Sequence, residues 1–316
     1  MAWQWLPARS RPGADVGVLS GPRGGRDGGR AARRRAAGRG VHSGRLPGRP
    51  ARVAAWLVPP LLVVVAFFGY PLALVVRQSL TAEDGGAAFA VWLEVLGSAE
   101  FLRAAWRTVA IALGTTAGCV LLGTFLALVI AFVPFPGARA LSRLADTMLA
   151  FPSFLIALSL TFLYGSAGIF PGAGFLYSPW GVLLAEITFY TPFVLRPALA
   201  AFGQIPAAQL NVAASLGAGP WRVLRQVVLP GALPGLASGA CLTMLLAMNE
   251  FGIVLFIGAK DVTTLPVLVY TKGIVTFDYP AACVVAVVNV VFSLLLYRAH
   301  RWALSKGDRR AAVDAG

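Results

Sequence analysis

The sequence lacks most of what a water-facing surface needs. Of 316 residues only 13% are Asp, Glu, Lys or Arg, about half the share found in soluble domains. That argues against a soluble fold. It also argues against reading the net charge of +14 as the footprint of a soluble nucleic-acid-binding protein. Histidine occurs only twice. His42 sits in a polar tail and His300 at the end of the last apolar run, so a histidine-based catalytic centre inside the apolar part is not supported. The three cysteines, Cys119, Cys241 and Cys283, all lie within apolar runs. With no CxxC and no spaced Cys/His set, neither a disulfide framework nor a zinc site is expected. A phosphate-cradling GxxxxGK[ST] stretch is also missing; the glycines of residues 21–29 lack its lysine and its strand–helix context. We therefore expect no metal, no cofactor and no catalytic residues.

What is present is apolar. The hydrophobic share is 58% and the mean hydropathy +0.74, which excludes a disordered chain and leaves a polytopic membrane protein. A crossing helix needs about 20 mostly apolar residues. Six stretches qualify, at about 53–76, 108–132, 147–165, 180–203, 233–257 and 281–299. The expected fold class is an all-α polytopic membrane protein with six transmembrane helices. Several spans contain proline, among them Pro59, Pro71, Pro152, Pro192 and Pro197, so kinks are expected.

Three regions follow. Residues 1–52 form a basic tail rich in Gly, Arg and Ala, expected to be disordered. It reads either as a polybasic segment touching anionic lipid or as a passive extension added by an upstream start codon. Residues 53–305 form the membrane domain and 306–316 a C-terminal tail. An even number of spans puts both termini on one side, and lysine and arginine decide which. The tail carries twelve arginines; Arg139, Arg143, Arg222, Arg225 and the basic C-terminus share its side. The opposite loops hold Arg77, Arg103, Arg107, Lys260 and Lys272. Both termini are expected in the cytoplasm.

The link between spans four and five, QIPAAQLNVAASLGAGPWRVLRQVVLP at 204–230, is too long and too helical for a connector. Pro206 suits a first helical turn, alanines favour helix and Gly217 fits a left-handed cap. Pro220 starts a second short helix, with Trp221, Leu224 and Val228 on one stripe and Arg222 and Arg225 on another face; Pro230 is expected to end it. Helices this short need a surface to pack on, which suggests docking to a cytoplasmic partner.

This segment resembles the cytoplasmic loop of permease subunits in binding-protein-dependent ABC importers, whose pattern is E-A-A, three residues, G, nine residues, then I-x-L-P. Ala213 matches the second alanine, Gly217 the glycine, Val227 the isoleucine, and Leu229 and Pro230 the end; Ala214 falls in the three-residue interval. Asn211 and Val212 replace the glutamate and the first alanine. The resemblance covers about 53–305 and implies a type I ABC permease fold in a bacterial inner membrane. It further implies that residues 206–219 dock on a separate ATPase subunit, present as a dimer. The remaining partners implied are a second permease of the same or a different chain, an extracytoplasmic solute-binding protein and the lipid bilayer, with no nucleic acid.

Ionisable groups inside spans are costly and become functional candidates by default. Glu186 and Glu250 lie at similar depth. With Tyr190, Thr191 and Asn249 they form the candidate translocation path; the alternative is that they pair between helices. Arg196 is expected to snorkel to the inner surface. The stretch around Asn249-Glu250-Phe251-Gly252, followed by Thr264-Leu265-Pro266, is similar to permeases of the sulfate, polyamine, ferric iron and phosphonate branch, and most like those for 2-aminoethylphosphonate. Residues 77–107, with Trp92, Leu93, Leu96, Phe101, Leu102 and Trp106, and residues 264–280 are expected at the outer surface, where either could receive the binding protein. Two other classes remain to be weighed. An ATP-independent channel or secondary carrier predicts inverted repeats, and 204–230 has no second copy. An intramembrane enzyme predicts a nucleophile beside a base, and Ser159 and Ser238 have no evident partner.

Overall fold

The computed structural model describes residues 49–81, 88–165, 167–170, 175–258 and 262–314. Of the tail expected to be disordered, residues 1–52, the first 48 lie outside them, and residues 49–52 are helical, as the start of α1. The chain divides into two compact units at Pro71–Leu72. The first holds α1 (Arg49–Val64), which contains Pro59 and Pro60, and a π-helical turn, Val65–Gly69; the helix continues as α2 (Tyr70–Ser79), whose residues from Leu72 on belong to the second. Pro71 explains that turn. Its ring would strike the carbonyl four residues back in a regular α-helix, and the wider π turn relieves the contact.

The second unit is built on three long helices, α4 (Ala99–Phe132), α7 (Pro179–Gln204) and α10 (Leu229–Met248). Small residues let their backbones approach, as in membrane helix pairs generally. A Cβ on Gly123 of α4 would stand 3.2 Å from the backbone nitrogen of Leu195 and from the Thr191 carbonyl oxygen. On α10, a Cβ on Gly239 would stand 3.0 Å from Val194 Cα. The final span, α13 (Tyr279–Asp314), runs past 305 without a break, so the expected tail boundary falls inside a helix.

Three expectations about elements are corrected. The third span, expected at about 147–165 with a kink at Pro152, is broken there outright and starts earlier. It is a pair, α5 (Ala138–Met148) and α6 (Ser153–Tyr164), bent by 108°, because Pro152 adopts an extended conformation. At about 1.5 Å per residue, the 12 residues of α6 cover only about 18 Å of a core roughly 30 Å thick. The fifth span breaks after Met248 and resumes as α11 (Gly252–Ile257). The second span starts early, at Ala99, where the Ser98 hydroxyl accepts the Phe101 amide at 3.2 Å. Much of the expected outer loop is thus the first turns of α4 and, before it, α3 (Ala88–Gly97). There Trp92 donates to the Ser79 carbonyl at 2.9 Å and Phe101 is buried, while Leu93, Leu102 and Trp106 are exposed.

Residues 264–280 are at the surface only in their second half, where Ile274, Val275 and Phe277 are exposed. α12 (Leu265–Tyr270) buries Leu265, Val267 and Leu268, and the Leu265 amide donates to Thr108 Oγ1 at 2.8 Å.

Candidate docking loop and buried polar cluster

The 204–230 segment forms α8 (Ala207–Ser215) and the single turn α9 (Pro220–Val223). Pro206 precedes the first as its N-cap. α8 ends in a Schellman motif: the Ala218 amide donates to the Ala213 carbonyl and the Gly217 amide to the Ala214 carbonyl, both at 3.0 Å. Gly217 holds φ +75° with nothing near its missing Cβ, so the conformation alone demands glycine. One residue of α8, Leu210, is buried, in a cluster with Ala145 of α5, Phe202 of α7, Val223 and Val228. Asn211, Val212, Ser215 and Leu216 are exposed, as are Trp221, Arg222 and Arg225.

Of the expected stripe of Trp221, Leu224 and Val228, Leu224 and Val228 pack inward, while Trp221 is exposed and Val223 takes its place in the cluster. A π turn at Leu224–Val228, where the Leu229 amide bonds Leu224, shifts the period so that residues five apart share a face. Pro230 does not end the helix. It sits at the start of α10 behind the π turn, in the same spacing as Pro71 behind Val65–Gly69. Leu229 is half-buried and Pro230 exposed.

Of the candidate path residues, Glu186, Tyr190, Thr191 and Glu250 are buried and Asn249 is exposed. Glu186 lies between α7 and α4, fully buried. Its Oε2 accepts from Thr115 Oγ1 at 2.5 Å and its Oε1 has no partner. Thr191 turns its hydroxyl back to the Ile187 carbonyl at 2.6 Å. Asn249 and Glu250 occupy the break between α10 and α11 and point to different neighbours. Asn249 donates to Ser293 Oγ at 3.1 Å and accepts from Asn289 Nδ2 at 3.0 Å, both on α13. Glu250 Oε1 accepts from Ser153 Oγ at 3.1 Å and from the Ile253 amide at 2.8 Å, and its Oε2 accepts the Tyr190 hydroxyl. Arg196, partly exposed, pairs with Asp146 and donates to the Ser142 carbonyl at 3.2 Å, both on α5. Among the described residues no group of His, Cys, Asp and Glu is placed to hold a metal.

Residues 119–306 match the family described as binding-protein-dependent transport system inner membrane component. The chain belongs to that family. PhnU of Salmonella choleraesuis, which bears the provisional name 2-aminoethylphosphonate transport system permease protein, is 46% identical over 272 residues, covering 82% of this chain and 95% of PhnU. PhnV of the same organism carries the same provisional name and is 28% identical over 266 residues, covering 79% of this chain and 96% of PhnV. A solved bacterial ABC transporter involved in the import of the acidic polysaccharide alginate superposes with a TM-score of 0.70 at 17% identity, over 82% of this chain and 96% of the other. That likeness confirms the fold as that of an ABC importer permease.

The permease thus places both of its sequence-marked features within the family region: the α8–α9 loop and the Asn249–Gly252 break. Sequence reasoning missed Thr115, Ser153, Asn289 and Ser293, the partners of the marked polar residues. Asn289 carried a usable signal, a lone amide in an apolar run. The three hydroxyl residues carried none, since Ser and Thr are common in membrane helices.

Proposed function

We propose that this permease forms half of the membrane pathway of an ATP-driven importer for 2-aminoethylphosphonate. The observation that carries the solute is the 46% identity across 95% of PhnU. α8 docks on a separate ATPase dimer through its exposed face of Asn211, Val212 and Leu216, beside Trp221, Arg222 and Arg225. Ala213, Ala214 and Gly217 shape that face, and Leu229 and Pro230 join it to α10. Leu210 ties it to α5 and α7, so a push on α8 is passed to packed helices as a rigid-body shift. ATP is hydrolysed in the partner, and an extracytoplasmic binding protein delivers the solute. The second permease is a different chain, a reading supported by two dissimilar relatives that share one solute name in one organism. Asn249, the exposed member of the polar set, meets the solute; Glu186, Tyr190, Thr191 and Glu250 stand behind it.

The test is reconstitution in liposomes with an ATPase, a second permease and a binding protein from the same organism. ATP-dependent uptake of 2-aminoethylphosphonate is expected, with sulfate, putrescine and ferric iron left outside. Uptake of one of those instead would reject the solute, and uptake without any ATPase would reject the mechanism.

A further inference from the structure

A broken helix leaves free backbone donors. The first amides of α11 have no carbonyl one turn back, and Glu250 supplies the acceptor for Ile253 at 2.8 Å. The same carboxylate accepts Ser153 Oγ at 3.1 Å and the Tyr190 hydroxyl. Three donors nearly fill the roughly four lone-pair positions of a carboxylate, and Glu250 is only 6% exposed. Little of it remains for a solute.

The position of Ser153 gives this arrangement its meaning. It is the first residue of α6, just past the 108° bend from α5. One carboxylate therefore joins the bend of one broken span to the break of another. Gly252 brings them together: a Cβ there would stand 3.3 Å from Phe154 Cβ and from Ser153 Oγ, so α6 rests directly against the start of α11. Phe154 and Phe256 then stack with centroids 6.0 Å apart. On the near side of the same bend, the last turn of α5 is held by the Asp146–Arg196 pair and by Ala145 packed in the cluster that contains Leu210 of α8.

We infer that Glu250 is a positioning residue that ties α11 to α6 and α7, so that displacement of α5 from the docking loop moves α11 with α6, and that it does not bind the solute. This rests on the transport reading above. The tie is made of hydrogen bonds between discrete elements, which can hold one of two arrangements and pass a shift from one site to another.

The test uses the assembled transporter with Glu250→Gln, Tyr190→Phe and Ser153→Ala. Glutamine keeps the shape but loses the charge and turns one acceptor into a donor. Glu250→Gln is expected to lower the maximal uptake rate about tenfold, the equivalent of one charge-assisted hydrogen bond. Half-saturation by solute should stay within about twofold, as for a group that does not contribute uniform binding, and ATP hydrolysis should continue, so that solute moved per ATP falls. Tyr190→Phe should move the same ratio in the same direction. A raised half-saturation constant at unchanged maximal rate would make Glu250 a solute ligand and overturn the inference. A proportional fall of uptake and hydrolysis together would overturn it too, as mere loss of folded protein. If the unaltered transporter moves no solute, the transport reading fails. The tie is then judged by thermal midpoints of the purified permease: a double variant Ser153→Ala/Glu250→Gln no less stable than Glu250→Gln alone supports it, and additive losses reject it.

Discussion

At the scale of single residues, two positions separate conformation from contact. Gly217 has φ +75° and open space around its missing side chain, so Gly217→Ala should cost about 1–2 kcal/mol through backbone strain alone. Asn, which tolerates the left-handed region, should lose less. Thermal midpoints of the purified variants measure the difference, and equal stability of Ala and Gly would show that the cap is not needed. Glu186 is the opposite case. It has one hydrogen bond, from Thr115, and one oxygen without a partner. Thr115→Val keeps the shape and removes the donor, and should destabilise by about 1–3 kcal/mol or more; Thr115→Ser should not. A carboxylate in an apolar run is visible in a sequence because it breaks a rule. Its partner is not, because Thr115 lies 71 residues away and Ser153 lies 97 residues from Glu250.

Elements show a sharper limit. Pro152 and Pro192 look alike in the sequence, each inside an apolar run. Yet Pro152 separates α5 from α6, while Pro192 and Pro197 lie within the continuous α7. What differs is the surrounding packing that accommodates the freed carbonyls, and that is long-range information. The 204–230 segment was legible for a local reason: Pro206, Gly217 and Pro220 each act on their own backbone. The π turns were not, although two of them stand in one register before a proline, at Pro71 and Pro230. Helix packing yields its own prediction. Gly123→Ala drives a methyl against backbone atoms of α7 that cannot rotate away, and overpacking of this kind costs about 1–3 kcal/mol. Gly203→Ala, near the end of the same α7 with nothing within 4 Å, should stabilise by about 0.5–1 kcal/mol from helix propensity. Both variants read out as shifts of thermal midpoint in opposite directions, and a loss at Gly203 would break the argument.

For the whole molecule, the proposed docking of α8 on an ATPase requires that the α8 end face the cytoplasm. The end that carries α8 and α9 has Arg139, Arg143, Arg222 and Arg225, with Asp146 already paired to Arg196. The other end mixes signs: Lys272 pairs with Glu100 at 3.1 Å, near Glu94 and Asp278. Orientation follows the excess of lysine and arginine in short loops, with little weight for acids, so the α8 end should lie in the cytoplasm, where ATP is. Two exposed positions make this measurable: Ser215 at the end of α8, and Thr276 in the link before α13. Ser215→Cys should escape a membrane-impermeant maleimide in intact spheroplasts and react in inverted vesicles. Thr276→Cys should do the reverse. The native thiols interfere little, since Cys119 is buried and Cys241 and Cys283 are half-buried within spans. Labelling of Ser215→Cys from outside would place the docking loop away from ATP, and no ATPase could then reach it.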